Sequence, residues 1–217
     1  MNGTELLAKT KESPVIPVFS HENTEIAYAV LKTCYEAGVR VFEFTNRTEK
    51  AASVYAELWQ QKQDFPDLAL GIGTIMDETQ GNQFINLGTD FIVAPIVDLA
   101  LAKLCEEHEL SWTPGCGTLT EVILAERNGA RLIKVFPADV LGAAFIKGVK
   151  APCPKLNLMP TGGVTPEEGN LKTWFSAGAH CVGMGSQLIP KHFSGSEEDV
   201  EQLQEKIKSA LSIIKSF

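Results

Sequence analysis

The 217-residue chain contains no apolar stretch approaching the roughly 20 residues of a membrane-spanning helix. It contains no basic run either. Its 19 basic and 27 acidic side chains leave a net charge of −8, so neither a membrane nor a nucleic acid is expected as a partner. An anionic substrate would have to be drawn in by local positive groups. The four histidines, His21, His108, His180 and His192, are scattered without H-x-H or H-E-x-x-H spacing. No two of the five cysteines (Cys34, Cys105, Cys116, Cys153, Cys181) form a C-x-x-C. No metal and no cofactor are therefore expected. An odd number of scattered cysteines reads as reduced thiols, the pattern of a cytoplasmic protein. The opening residues, MNGTELLAKTKESP, are polar with a helical pattern, unlike a secretory signal. Linkers and low-complexity segments are lacking as well, and one domain over residues 1–217 is expected.

What the chain does have is a rhythm. Short apolar runs at 14–20, 40–45, 69–74, 91–95, 111–115, 131–137, 157–162 and 181–186 alternate with amphipathic patterns at 24–37, 49–62, 77–87, 97–109, 118–128, 141–149, 165–177 and 196–216. Eight βα units after a short N-terminal helix predict an α/β protein, a closed (β/α)8 TIM barrel. The segments EAGVRV, NLGTDF, RNGARL and SAGAHC each place a glycine (Gly38, Gly88, Gly129, Gly178) just before a strand, suited to a left-handed helix C-cap. All four precede even-numbered strands, as if the barrel were built of (βα)2 modules. A doubly wound open sheet is the alternative, but the first βα turn carries no G-x-G-x-x-G. The stripe Val200, Leu203, Ile207, Leu211 and Ile214 on the last helix suits packing on the barrel or contact with another subunit.

One strand is anomalous. In RLIKVFPAD, Lys134 interrupts an otherwise apolar run, and an unpaired buried ammonium is costly. Strand alternation puts Ile133 and Val135 on one face and Leu132, Lys134 and Phe136 on the other. If the Ile/Val face meets the helices, Lys134 points into the barrel. The same parity in RVFEFT turns Glu43 inward from the second strand. A buried structural ion pair and a catalytic pair are both compatible with these two residues. Arg47, just past the second strand, could clamp a carboxylate or merely bridge Glu49. Glycine-rich ends on the last two strands, PTGGVTPEE and GMGSQLIP, suit a backbone phosphate site or simple turns.

Taken in order, GVRVFEFTNRTEKA, GIGTI, FIVAP, TPGCGT, IKVFPAD, MPTGGVT and CVGMGSQL resemble the class I 2-keto-3-deoxy-6-phosphogluconate (KDPG) / 4-hydroxy-2-oxoglutarate (KHG) aldolase family over nearly the whole chain. The resemblance implies Lys134 as the Schiff-base lysine, Glu43 as the general acid/base and Arg47 as the ligand of the substrate carboxylate. It implies that Thr74, Pro95 and Thr161 line the pyruvyl pocket, with Phe136 shaping its mouth. Gly162, Gly163, Gly185 and Ser186 would bind phosphate. It further implies a small phosphorylated 2-keto sugar acid as substrate, a homotrimer, and no metal. The chain departs from the family at Asn46, often leucine, at Pro95-Ile96, often Pro-Gly, and at Gly183-Met184-Gly185-Ser186, often Gly-Gly-Ser. The expected reaction is cleavage of KDPG to pyruvate and glyceraldehyde 3-phosphate, with KHG cleavage to pyruvate and glyoxylate beside it. The phosphogalactonate analogue, a phosphate-binding barrel isomerase or epimerase, and a non-catalytic sensor of sugar acids are the competing readings.

Overall fold

A computed structural model describes residues 1–217. Helix α1 (Gly3–Glu12) opens the chain, capped by Asn2 in a reciprocal box with Glu5. There follow β1 (Val15–Phe19), α2 (Thr24–Glu36), β2 (Val41–Thr45), α3 (Ala51–Gln60), β3 (Ala69–Gly73), α4 (Glu78–Leu87), β4 (Phe91–Val93) and α5 (Leu99–Glu107). The remainder is β5 (Ser111–Thr113), β6 (Gly115–Cys116), α6 (Leu119–Arg127), β7 (Leu132–Val135), α7 (Ala138–Lys150), β8 (Asn157–Pro160), α8 (Glu168–Ser176), β9 (Val182–Met184) and α9 (Glu197–Lys215). Asp77, Asp98, Thr118 and Ser196 cap α4, α5, α6 and α9 through their side chains.

Every strand pairing is parallel. The pairings form two ladders, β5-β4-β3-β2-β1-β9 and β6-β7-β8. The ladders join at two seams, and the expected eight-stave barrel results. At one seam the segment SWTPG, expected as one strand over 111–115, is divided by Pro114, which has no N–H to donate. Its first half pairs with β4 and its second with β7. At the other seam a bridge joins Thr161 to Gly183.

Expected elements match to within a few residues, with two corrections. The helix expected over 141–149 starts at Ala138 and breaks at Gly142, whose φ of 71° and ψ of 167° are not helical. The helix expected to run to residue 62 becomes a 3-10 turn over Gln61–Asp64. Gly38, Gly88, Gly129 and Gly178 all have positive φ. Gly88 combines it with an extended ψ of 130° rather than the left-handed helical value, and a side chain there would strike the Trp59 indole.

Strand parity divides the core in two. Phe42, Phe44, Ile72, Ile133 and Val135 face outward into the large cluster shared with the helices. Ile16, Val41, Ala69, Phe91, Val93, Leu132, Met159 and Cys181 face inward, closed at the N-terminal end by Leu6 of α1. Burying a leucine of that kind contributes about 1.5–3 kcal/mol. Helix α9 lies against α2 and α8 with Leu203, Ile207 and Leu211 buried, so its apolar stripe is used within the chain. No helix is long and apolar enough to cross a membrane.

Candidate active site

The strand registers set the height of each inward side chain. Glu43 aligns with Gly71, Val93 with Thr113, Gly115 with Lys134, Lys134 with Met159 and Thr161 with Gly183. In a barrel of shear 8 the height advances by about one residue per stave, and alternate staves share a layer. Glu43, Val93, Lys134 and Gly183 then form one layer, with the carboxylate and the amine on opposite sides. Beneath it lie Ile16, Gly71, Thr113 and Met159. Above it lie Val18, Gly73, Gly115 and Thr161, and above those Thr45, Pro95, Phe136 and Gly185.

Around the amine the interior is fitted over glycines. A Cβ on Gly73 would collide with Glu43 Oε1, one on Gly183 with Thr161 Oγ1, and one on Gly115 with the backbone of Pro95. Without those side chains there is room for the Glu43 carboxylate, the Thr161 hydroxyl and the Pro95 backbone around Lys134.

Lys134 is 3% exposed and Glu43 is 0% exposed. Their closest approach, Nζ to Oε1, is 3.7 Å, longer than the 2.7–2.9 Å of a charge-assisted hydrogen bond. Neither Glu43 oxygen has any hydrogen-bond partner. A buried pair that served stability would satisfy its lone pairs and close its distance, because desolvation otherwise outweighs the attraction. This pair does neither, which weighs against the purely structural reading. Lys134 Nζ also lies 5.2 Å from the centroid of the Phe136 ring.

Thr161 is buried with its hydroxyl unpartnered, one layer above the lysine. Pro95 and Phe136 are half-buried at the mouth. Thr74 follows β3 with a φ of 63°, unusual for a β-branched residue. Flanking hydrogen bonds, Asn46 N to Gly73 O at 2.8 Å and Ile75 N to Val93 O at 3.3 Å, hold it there. Strain fixed in this way is a frequent mark of a working site. Its Oγ1 accepts from Arg47 Nε at 3.3 Å. The alternative expected for Arg47, a bridge to Glu49, does not form. The guanidinium is exposed, and its terminal nitrogens make no hydrogen bond within the chain.

At the other end of the mouth, Gly162 and Gly163 have φ values of 104° and 67°. The N–H groups of Gly163, Gly185 and Ser186 donate to nothing in the chain. They lie past β8 and β9, near the start of α7, where Ala138 N donates to Thr161 O at 2.9 Å. The Asp139 side chain stands against both glycines. Free N–H groups beside backbone that requires glycine are the pattern in which anion-binding concavities are built. Sequence reasoning did not single out Asp139, and it passed over Thr113 as one more polar strand residue. Both are placed by the break at Gly142 and by the layer heights, which a linear pattern does not show.

Fold and site together define a TIM barrel carrying a buried lysine–carboxylate couple, with an arginine past β2 and a glycine-rich end past β8 and β9. A family model described as "Aldolase: KDPG and KHG aldolase" matches residues 6–205, and the chain belongs to that family. It is 26% identical over 212 residues to a 2-dehydro-3-deoxy-phosphogluconate aldolase of Haemophilus influenzae, covering 97% of each chain. It is 31% identical over 179 residues to the enzyme of the same name from Dickeya dadantii, covering 82% of this chain and 81% of that one. Among solved structures, KDPG aldolase of Legionella pneumophila, described with pyruvate captured as a covalent carbinolamine, superposes with a TM-score of 0.83 at 25% identity. That match covers 94% of this chain and 97% of the other.

Proposed function

We propose that this chain is a class I lyase that cleaves 2-keto-3-deoxy-6-phosphogluconate into pyruvate and glyceraldehyde 3-phosphate through a Schiff base on Lys134. The single observation that carries the reading is the Lys134–Glu43 couple, buried, loosely spaced and unsatisfied, with glycine at 73 making room for its carboxylate. Family membership supports the same chemistry.

In this mechanism Lys134 Nζ adds to the C2 carbonyl of the keto acid, and loss of water leaves a protonated imine. Glu43, through a water, takes the proton of the C4 hydroxyl. The C3–C4 bond then breaks, and its electron pair passes into the imine to give an enamine as the aldehyde departs. Glu43 returns a proton to C3, and hydrolysis of the imine frees pyruvate and the lysine. Arg47 holds the C1 carboxylate beside Thr74, and Thr161, Pro95 and Phe136 enclose the three-carbon end. The N–H groups of Gly162, Gly163, Gly185 and Ser186 receive the phosphate.

A further activity on 4-hydroxy-2-oxoglutarate follows from the same machinery, since that substrate needs the lysine, Glu43 and Arg47 but not the phosphate end. The reading takes the chain as one cytoplasmic barrel domain over 1–217, acting as a homotrimer. The exposed side chains of Met76, Ile96, Leu99 and Leu119, on or beside the loops after β3, β4 and β6, support a subunit contact on that side. Sedimentation at assay concentration should give three times the chain mass. A coupled pyruvate-release assay on the phosphogluconate, phosphogalactonate and unphosphorylated substrates tests the activity. The largest kcat/KM is expected on the phosphogluconate acid. Absence of pyruvate from all three would refute the reading.

A further inference from the structure

We propose that Thr113 is a positioning residue for Lys134, its hydroxyl orienting the amine for attack; this rests on the Schiff-base reading above. Thr113 is 1% exposed at the inner end of β5, and its Oγ1 has no hydrogen-bond partner. It occupies the layer directly beneath the Lys134–Glu43 layer, on the stave adjoining β7. The two staves are tied at that level, because Lys134 N donates to the carbonyl of Pro114, the next residue after Thr113, at 2.9 Å.

The other members of Thr113's layer, Ile16, Gly71 and Met159, offer no polar side chain. Val93, its direct partner on β4, is apolar. Valine at 113 would fill the same space without leaving a buried hydroxyl unsatisfied, so the hydroxyl is a penalty with no structural return. The group best placed to use it is the amine one layer up. Lys134 has three donors when charged, and none reaches a protein acceptor within hydrogen-bond distance. A neutral amine has two N–H bonds and one lone pair. Neither bond is made in this structure; in the attacking arrangement one N–H is given to Thr113 Oγ1 and the other to Glu43, which leaves the lone pair toward the strand ends. The C2 carbonyl must enter there. Thr113 touches neither substrate nor product in this arrangement and acts through the lysine.

The test compares the full-length wild type with Thr113→Val, Thr113→Ala and Thr113→Ser, measuring the rate of borohydride-trapped adduct formation with pyruvate. Loss of one oriented hydrogen bond should slow trapping about tenfold in the valine and alanine variants. Serine should stay within about twofold of wild type, and the valine variant should melt no lower than wild type. Trapping of the valine variant at the wild-type rate overturns the assignment. So does a serine variant as slow as alanine, which would make the methyl group and its packing the cause. A wild type that is never trapped would instead refute the Schiff-base reading itself, on which this assignment stands.

Discussion

At the N-terminal end of the barrel, Leu6, Ile16, Val41, Phe91, Leu132 and Met159 fill the interior side chain against side chain. Higher on the same staves stand Glu43, Lys134 and Thr161, with Gly73, Gly115 and Gly183 among them. The lower end spends its inward positions on packing. The upper end leaves buried polar atoms unsatisfied, which lowers stability. One sheet thus carries a foundation and a workshop, and a residue's height along its strand decides which it joins.

Substitutions at the two ends should separate cleanly. Lys134→Ala, at the upper end, should reduce pyruvate release to background even at temperatures where circular dichroism shows it folded, and its melting temperature should fall because Glu43 is left buried without a counter-charge. A variant that keeps its activity would erase the contrast. Glu43→Gln should lower kcat about 10²–10⁴-fold in steady-state assays, with the protein still folded by circular dichroism. Unchanged kinetics would return the couple to a structural role. At the lower end, Leu6→Ala should lose about 2–5 kcal/mol of unfolding free energy in denaturant titrations. Its kcat should be unchanged at temperatures where it remains folded; a fall in kcat would show that the floor reaches into the chemistry.

A smaller effect sharpens the same contrast. His180 is a polar exception on the lower end, with Nε2 2.9 Å from Thr10 Oγ1. Thr10 gives its own proton to Leu7 O at 3.1 Å, so the ring nitrogen is assigned as the donor. Burial holds the imidazole below its usual pKa; the Leu7 carbonyl opposes it, and the charges of Lys150 and Lys11 add smaller pushes in the same direction as burial. The unfolded chain therefore binds this proton more readily than the folded one. The stability contribution is complete above the ordinary histidine value and is lost as pH falls from about 6.5 toward the lower folded value. Melting curves at pH 7.5 and 5.5 should show a drop that His180→Gln reduces. The smallest effect concerns thiols. Burial raises Cys105 and Cys116 to about 12 and pushes Cys34 and Cys181 higher still, so native protein at pH 8 should be alkylated at Cys153 alone, as peptide mapping would show.

Much of this was legible in the sequence because parity is. Alternation in RVFEFT and RLIKVFP sufficed to turn Glu43 and Lys134 inward, and the apolar partners of the opposite parity reach the outer core as expected. The glycines before even-numbered strands were legible for the same local reason, a backbone angle that other residues disfavour. What stayed hidden depends on heights across staves. That Glu43 and Lys134 share a layer, that Gly73 and Gly183 make room for Glu43 and Thr161, and that Thr113 lies beneath the amine are consequences of register, which no single segment encodes. Pro114 illustrates the gap. In sequence SWTPG reads as one strand, while the break at that residue and the handover of the sheet from β4 to β7 appear only in the paired structure.

The central claim is that a lysine in the upper half of the barrel is the nucleophile. Incubation with pyruvate and borohydride, digestion and mass mapping test it most directly. One reduced pyruvyl adduct per chain, on the peptide containing Lys134, is the result expected here. No adduct, or an adduct on another lysine, would contradict it.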